Sequence, residues 1–108
     1  MDRKFIVPWD TQKTLFQIGS FRADPTYHEV IDWLESKDIY IDCKMYPCYY
    51  SNKGWMEYIA YVNEYNGERF IDRRPTRIYH SREEALNEAI NMAIEIIERN
   101  NNNRTTSK

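Results

Sequence analysis

Cys43, Cys48, His28 and His80 are the only soft metal ligands in the chain. Four residues separate the two cysteines, a gap near the spacing of zinc knuckles. The surroundings do not complete a site. Cys43 falls on the apolar side of an alternating segment, Cys48 follows Pro47 in an expected loop, and neither histidine has a partner at metal-ligand spacing. A Cys/His nucleophile pair would use the same residues, and nothing beside either thiol would ionise or orient it. Gly-rich phosphate loops, Gly-x-Ser-x-Gly elbows and His-Glu-x-x-His helices are absent from the chain. The carboxylate pairs Glu83-Glu84 and Asp32-Glu35 fall on helix positions expected to face water. No enzyme, metal site or cofactor is expected.

Two groups of residues suit binding. Arg69, Arg73, Arg74, Arg77 and Arg82 crowd one stretch of a chain whose net charge is −2, with Tyr65, Phe70 and Tyr79 among them. Arginines with aromatics can clamp phosphates and stack bases. Arg69, Arg73, Arg74, Arg77 and Tyr79 are thus the candidates for a nucleic-acid-binding alternative. The competing account is an edge strand blunted by charge and by Pro75 against edge-to-edge pairing. The second group comes from nine tyrosines, which have an apolar body and a polar tip. Tyr40, Tyr46, Tyr49 and Tyr50, with Tyr58 or Tyr61, are expected to crowd the sheet face away from the helices. They are the interface candidates for a homodimer or another protein partner, unless Phe5, Trp9, Leu15 and Phe16 fold back over them. A non-catalytic, self-associating interaction module is the leading expectation.

The elements that must position these residues are legible in the spacing. Asp10 can cap a short helix through Ile18, which Gly19 would end. Thr26 with Glu29, and Ser81 with Glu84, are capping-box pairs. The first opens a helix over Tyr27 to Lys37, with Tyr27, Val30, Ile31, Trp33 and Leu34 on one side. From Ile39 the period changes to two, and Ile39, Ile41, Cys43 and Met45 alternate with Tyr40, Asp42, Lys44 and Tyr46. Pro47 is expected to stop that strand, and Ser51-Asn52-Lys53-Gly54 to turn into a second, Trp55 to Asn63. Asn66-Gly67 signals a type I′ hairpin into a third strand, which Pro75 interrupts. The final helix, Arg82 to about Arg99, carries Ala85, Leu86, Ala89, Ile90, Ala93, Ile94, Ile96 and Ile97 on one broad stripe. That width predicts contact with both the sheet and the first long helix.

The 108 residues therefore read as an arm over 1–24, one domain over 25–100 and a disordered, Asn-rich tail over 101–108. The expected fold is α+β, a two-layer α-β-β-β-α unit with a three-stranded antiparallel sheet and two helices on one face, plus a short N-terminal helix. No apolar run approaches the roughly 20 residues that span a bilayer. With no apolar segment behind the basic residues near Met1, and two cysteines only, a cytoplasmic setting is expected.

This element order resembles the double-stranded RNA-binding domain from Thr26 to Arg99. That family opens its last helix with lysines; here the turn is Ser81-Arg82-Glu83-Glu84-Ala85. Its Gly-Pro-x-His-type loop is replaced by Pro47-Cys48-Tyr49-Tyr50-Ser51-Asn52-Lys53-Gly54, so RNA binding by that route is not expected. Pro25-Thr26-Tyr27-His28-Glu29-Val30-Ile31-Asp32-Trp33-Leu34, followed by aromatic strands and Ser81-Arg82-Glu83-Glu84-Ala85-Leu86, resembles small proteins of phages, prophages and mobile elements of gut bacteria. The resemblance implies a bacterial or phage accessory protein and carries no binding residues with it.

Overall fold

The computed structural model of the chain describes residues 6–18 and 25–106. Its elements are α1 (Trp9–Ile18), α2 (Tyr27–Glu35), β1 (Ile39–Tyr50), β2 (Lys53–Tyr65), β3 (Phe70–Pro75) and α3 (Arg82–Thr106). The strands form one antiparallel sheet in the order β1-β2-β3, so β2 is central. The α+β class and element order are those that the spacing predicts.

α2 and α3 start where their caps predict. The Glu29 N–H donates to Thr26 Oγ1 at 3.2 Å, and the Glu84 N–H to Ser81 Oγ at 3.1 Å. α2 ends at Glu35, two residues short of the expected Lys37, because the chain turns through Asp38 at φ 65° to enter β1. Lys37 then lies with its ammonium 5.6 Å from the centre of the Trp33 ring. α1 starts at Trp9, which puts Asp10 in its first turn rather than at the cap.

The core lies between one face of the sheet and the helices. Ala60 and Val62 of β2 and Ile39 of β1 meet Val30 and Leu34 of α2 and the α3 stripe, all of them buried. Every one of the eight apolar α3 positions named above is buried. The stripe is broad because α3 packs on β1, β2, α2 and α1 together. Its helical backbone continues through Thr106, where composition predicts a disordered tail. Extending an anchored helix adds one hydrogen bond per residue without a new nucleus, so weak helix formers can follow a strong stem.

α1 joins the helix layer. Leu15 is buried, Thr11 Oγ1 donates to Asn87 Oδ1 at 2.9 Å, and Asn91 Nδ2 donates to Thr11 Oγ1 at 3.3 Å. A bridge between Ile6 and Thr26 and a bond from the Val7 N–H to the Pro25 carbonyl tie the segment before α1 to the start of α2. The described arm therefore packs on α3 and not across the far side of the sheet; Phe5, Gly19 and the Phe16 side chain lie outside the described residues.

The turns differ from expectation. Pro47 does not stop β1, which runs to Tyr50 with Pro47 opposite Met56. β1 pairs on one side only, and an edge strand tolerates a residue without an N–H. The type I′ signature, positive φ at both central residues, belongs to Ser51 (48°) and Asn52 (66°). At Asn66-Gly67 only Gly67 has positive φ, at 96°. Asn66 Oδ1 instead accepts the N–H groups of Glu68 and Arg69, at 2.9 and 3.0 Å, and closes a longer loop.

After Pro75 the third strand resumes as a bridge between Tyr58 and Tyr79, with one residue more than β2 supplies between the pairs Tyr61–Pro75 and Tyr58–Tyr79. Thr76 manages that bulge. Its N–H donates to the Ala60 carbonyl at 2.8 Å, and its Oγ1 accepts the Ala60 N–H at 3.1 Å in place of a main-chain carbonyl. Pro75 thus breaks the strand into two pieces, one of the outcomes that its position allows.

Candidate interaction surface

The pairing register settles which side chains share a face. Ile41–Val62, Cys43–Ala60 and Met45–Tyr58 point toward the helices. Alternation then places Tyr40, Asp42, Lys44, Tyr46, Cys48 and Tyr50 of β1 on the open face, with Trp55, Glu57, Ile59, Tyr61, Asn63 and Tyr65 of β2. Phe70 and Arg73 of β3 join them opposite Tyr65 and Asn63. The ambiguity of β2 resolves with Tyr61 open and Tyr58 against the core.

At the base of this face Tyr40, Tyr65 and Phe70 form one cluster. Tyr40 meets Tyr65 and Phe70 edge-on at 6.4 and 5.7 Å, and Tyr65 and Phe70 lie 5.1 Å apart. In the middle, the Arg73 guanidinium lies 4.2 Å over the Tyr61 ring, with Nη2 3.9 Å from Asp42 Oδ2. A hydrogen bond from the Tyr46 phenol to Tyr61 holds the Tyr46 pKa up. Toward the hairpin tip, Trp55 Nε1 donates to Glu57 Oε2 at 3.0 Å, and this bond, with one from Cys48, holds the Glu57 carboxyl down.

Three of the four tyrosines expected at an interface are therefore on the open face. Tyr49 is the correction. Because β1 does not stop at Pro47, alternation continues and turns Tyr49 to the opposite side, where its ring lies against Gly54. Sequence reasoning missed the grouping of Tyr40 with Tyr65 and Phe70, since that contact crosses all three strands. It assigned Tyr65 and Phe70 to the arginine group instead.

The arginines do not converge. Arg69 is exposed beside the loop that Asn66 closes. Arg73 is on the open face, whereas Arg74 is opposite the core residue Val62 and its Nε lies 2.6 Å from Asp72 Oδ2. That pair holds the Asp72 carboxyl below its ordinary range. The Arg77 Nε is 3.7 Å from Glu88 Oε1, and the Arg77 N–H donates to Glu88 Oε2 at 3.0 Å. Tyr79 packs on the core and its phenol donates to Glu88, which raises its pKa. Three arginines of the sequence cluster, Arg73, Arg74 and Arg77, thus enter separate cation–carboxylate pairs that do not share a face.

The thiols are equally divided. Cys43 faces the helices, and burial pushes its thiol up; Cys48 is on the open face, and desolvation together with a hydrogen bond to Glu57 pushes it up as well. His80 approaches Glu57 closely enough to help lower it, but the Cys48 shift runs against thiolate formation. His28 lies far along the chain fold, 3.2 Å from Asp32 on α2. Among the described residues, no three His, Cys, Asp or Glu side chains gather as a metal site would require. No helix among them is long and apolar enough to cross a membrane. No family model, curated protein or solved structure matches the chain.

Proposed function

We propose that this chain is a non-catalytic interaction module that self-associates through the open face of its sheet. The supporting observation is the division of apolar surface between the two layers. The α3 stripe, the other surface broad enough to recruit a partner, is used up inside the domain. The open face keeps Phe70 at 58%, Tyr46 at 41% and Trp55 at 40% exposure in one contiguous patch with Tyr40, Tyr61 and Tyr65. Tyrosine, tryptophan, phenylalanine and arginine are the residues enriched in protein interfaces. Static light scattering from micromolar to near-millimolar concentration tests the reading. A mass rising toward that of two chains is expected, and a strictly monomeric mass throughout overturns it.

Arg73 stacked on Tyr61 favours a second reading, contact with nucleic acid, for which the divergence of Arg74 and Arg77 leaves little footprint. An electrophoretic shift with mixed DNA and RNA at low salt that disappears in Arg73→Ala would support it. The bacterial cytoplasm is the setting proposed with the module, as an accessory protein of bacterial or phage origin, on the resemblance of the Pro25–Leu34 segment.

A further inference from the structure

The β1–β2 hairpin is longer than the core beneath it. Its base, from Ile39 to Cys43 and from Tyr58 to Val62, lies under the helices. Beyond that, Met45 is 59%, Tyr50 76% and Tyr49 82% exposed, on two strands that continue to the Ser51-Asn52 turn. A two-stranded ribbon without a covering layer is marginal in water, yet this one carries aromatics on both faces. Such an arm needs a surface to lie on.

Resting on the self-association proposed above, we infer that the hairpin is a dimerisation arm and that its partner is a second copy of this chain. Two open faces stack with their strands antiparallel, and each arm reaches Tyr40, at the edge of the other copy's Tyr40–Tyr65–Phe70 cluster. Area favours a reciprocal arrangement. With strands rising about 3.3 Å per residue and spaced about 4.8 Å apart, the whole open face projects about 500 Å² and the part over the core about 300 Å². A standard interface takes roughly 800 Å² per partner measured over side-chain relief, so only a face that includes the arm comes within reach.

Charge points the same way. The open face mixes Asp42 and Glu57 with Lys44, Lys53 and Arg73, so both signs are present on it. A two-fold axis over the Met45–Tyr58 pair sets Tyr50 of one copy over Tyr40 of the other, and Trp55 over Tyr61. The same register lays Lys44 beside Glu57 across the interface, and Lys53 beside Arg73, whose guanidinium Asp42 already pairs. Each arm thus brings its apolar tip to an aromatic platform and its lysine to a carboxylate.

The experiment compares faces of one arm by sedimentation equilibrium of the full chain, with far-ultraviolet circular dichroism confirming that each variant is folded. Tyr50→Ser with Trp55→Ser should raise the dimer dissociation constant at least tenfold, while Tyr49→Ser on the other face leaves it unchanged. Lys44→Glu and Glu57→Lys should each weaken the dimer, and the two together should restore it. If Tyr49→Ser weakens association as much as the Tyr50 and Trp55 changes do, or if the exchanged charges fail to restore it, the arm arrangement is overturned. If Phe70→Ser dissociates the dimer while the Tyr50 and Trp55 changes do not, the sheet self-associates without the arm. A wild-type chain that stays monomeric overturns both proposals.

Discussion

At the base of the β1–β2 hairpin, Ile39, Ala60 and Val62 are at most 2% exposed beneath α2 and α3, whereas at its tip Tyr49 and Tyr50 are 82% and 76% exposed. The two ends share strands, pairing and alternation. What separates them is the helix layer: helices cover the base, and nothing described covers the tip. The same composition thus performs two jobs. Aromatic and β-branched residues form a core where a helix meets them and a patch where none does.

The comparison can be broken most forcefully at the base. Ile90→Ala removes a fully buried side chain that α3 sets in the core, and should cost about 2–5 kcal/mol in urea denaturation. Tyr50→Ala, at the exposed tip, should stay within about 0.5 kcal/mol of wild type at concentrations low enough to keep the chain monomeric. Equal losses would mean that the tip is covered within one chain.

Thr76→Val strikes the bulge at the far edge. It leaves the buried Ala60 N–H without its side-chain acceptor, so a loss of about 1–3 kcal/mol is expected, while Thr76→Ser should retain most of the stability. Next comes the cap. Thr26→Ala takes away the acceptor of the Glu29 N–H and should cost about 1 kcal/mol.

The smallest effects concern exposed charge. Asp72, lowered mainly by its hydrogen bond from Arg74, adds stability at pH values above its unfolded-state pKa. That contribution disappears as pH falls through the lower, folded-state pKa. Asp72→Asn should therefore lower the melting temperature slightly at neutral pH, with the gap to wild type closing in acid. A gap that stays constant down to acidic pH would exclude the linkage.

Much of this fold can be read from the chain because its signals are local. Thr26 and Ser81 begin helices through groups three residues away, and the α3 stripe repeats with a period that no strand shares. The open face was legible only in part. Tyr40, Tyr46 and Tyr50 follow from alternation, but the side taken by Tyr49 depends on whether the strand survives Pro47. Pairing with β2 along a one-sided edge decides that, and it is a tertiary fact. The type I′ turn was assigned to the wrong hairpin for a related reason. Asn-Gly is the stronger local signal, yet the Asn66 side chain found main-chain donors of its own, and Ser51-Asn52 accepted positive φ to close the longer register. For the arginines, clustering in sequence became divergence in space, because successive strand residues face opposite ways.

The contact between α1 and α3 bears on the order of assembly. Thr11 and Asn87 are 76 residues apart in the chain, while the β1–β2 and β2–β3 pairings join neighbours across short turns. Closing so long a loop before other contacts exist has a high entropic cost. α1 is then expected to dock last, on a platform already formed by the sheet and α3. Substitutions at Thr11 or Leu15 should consequently speed unfolding and leave the refolding rate almost unchanged.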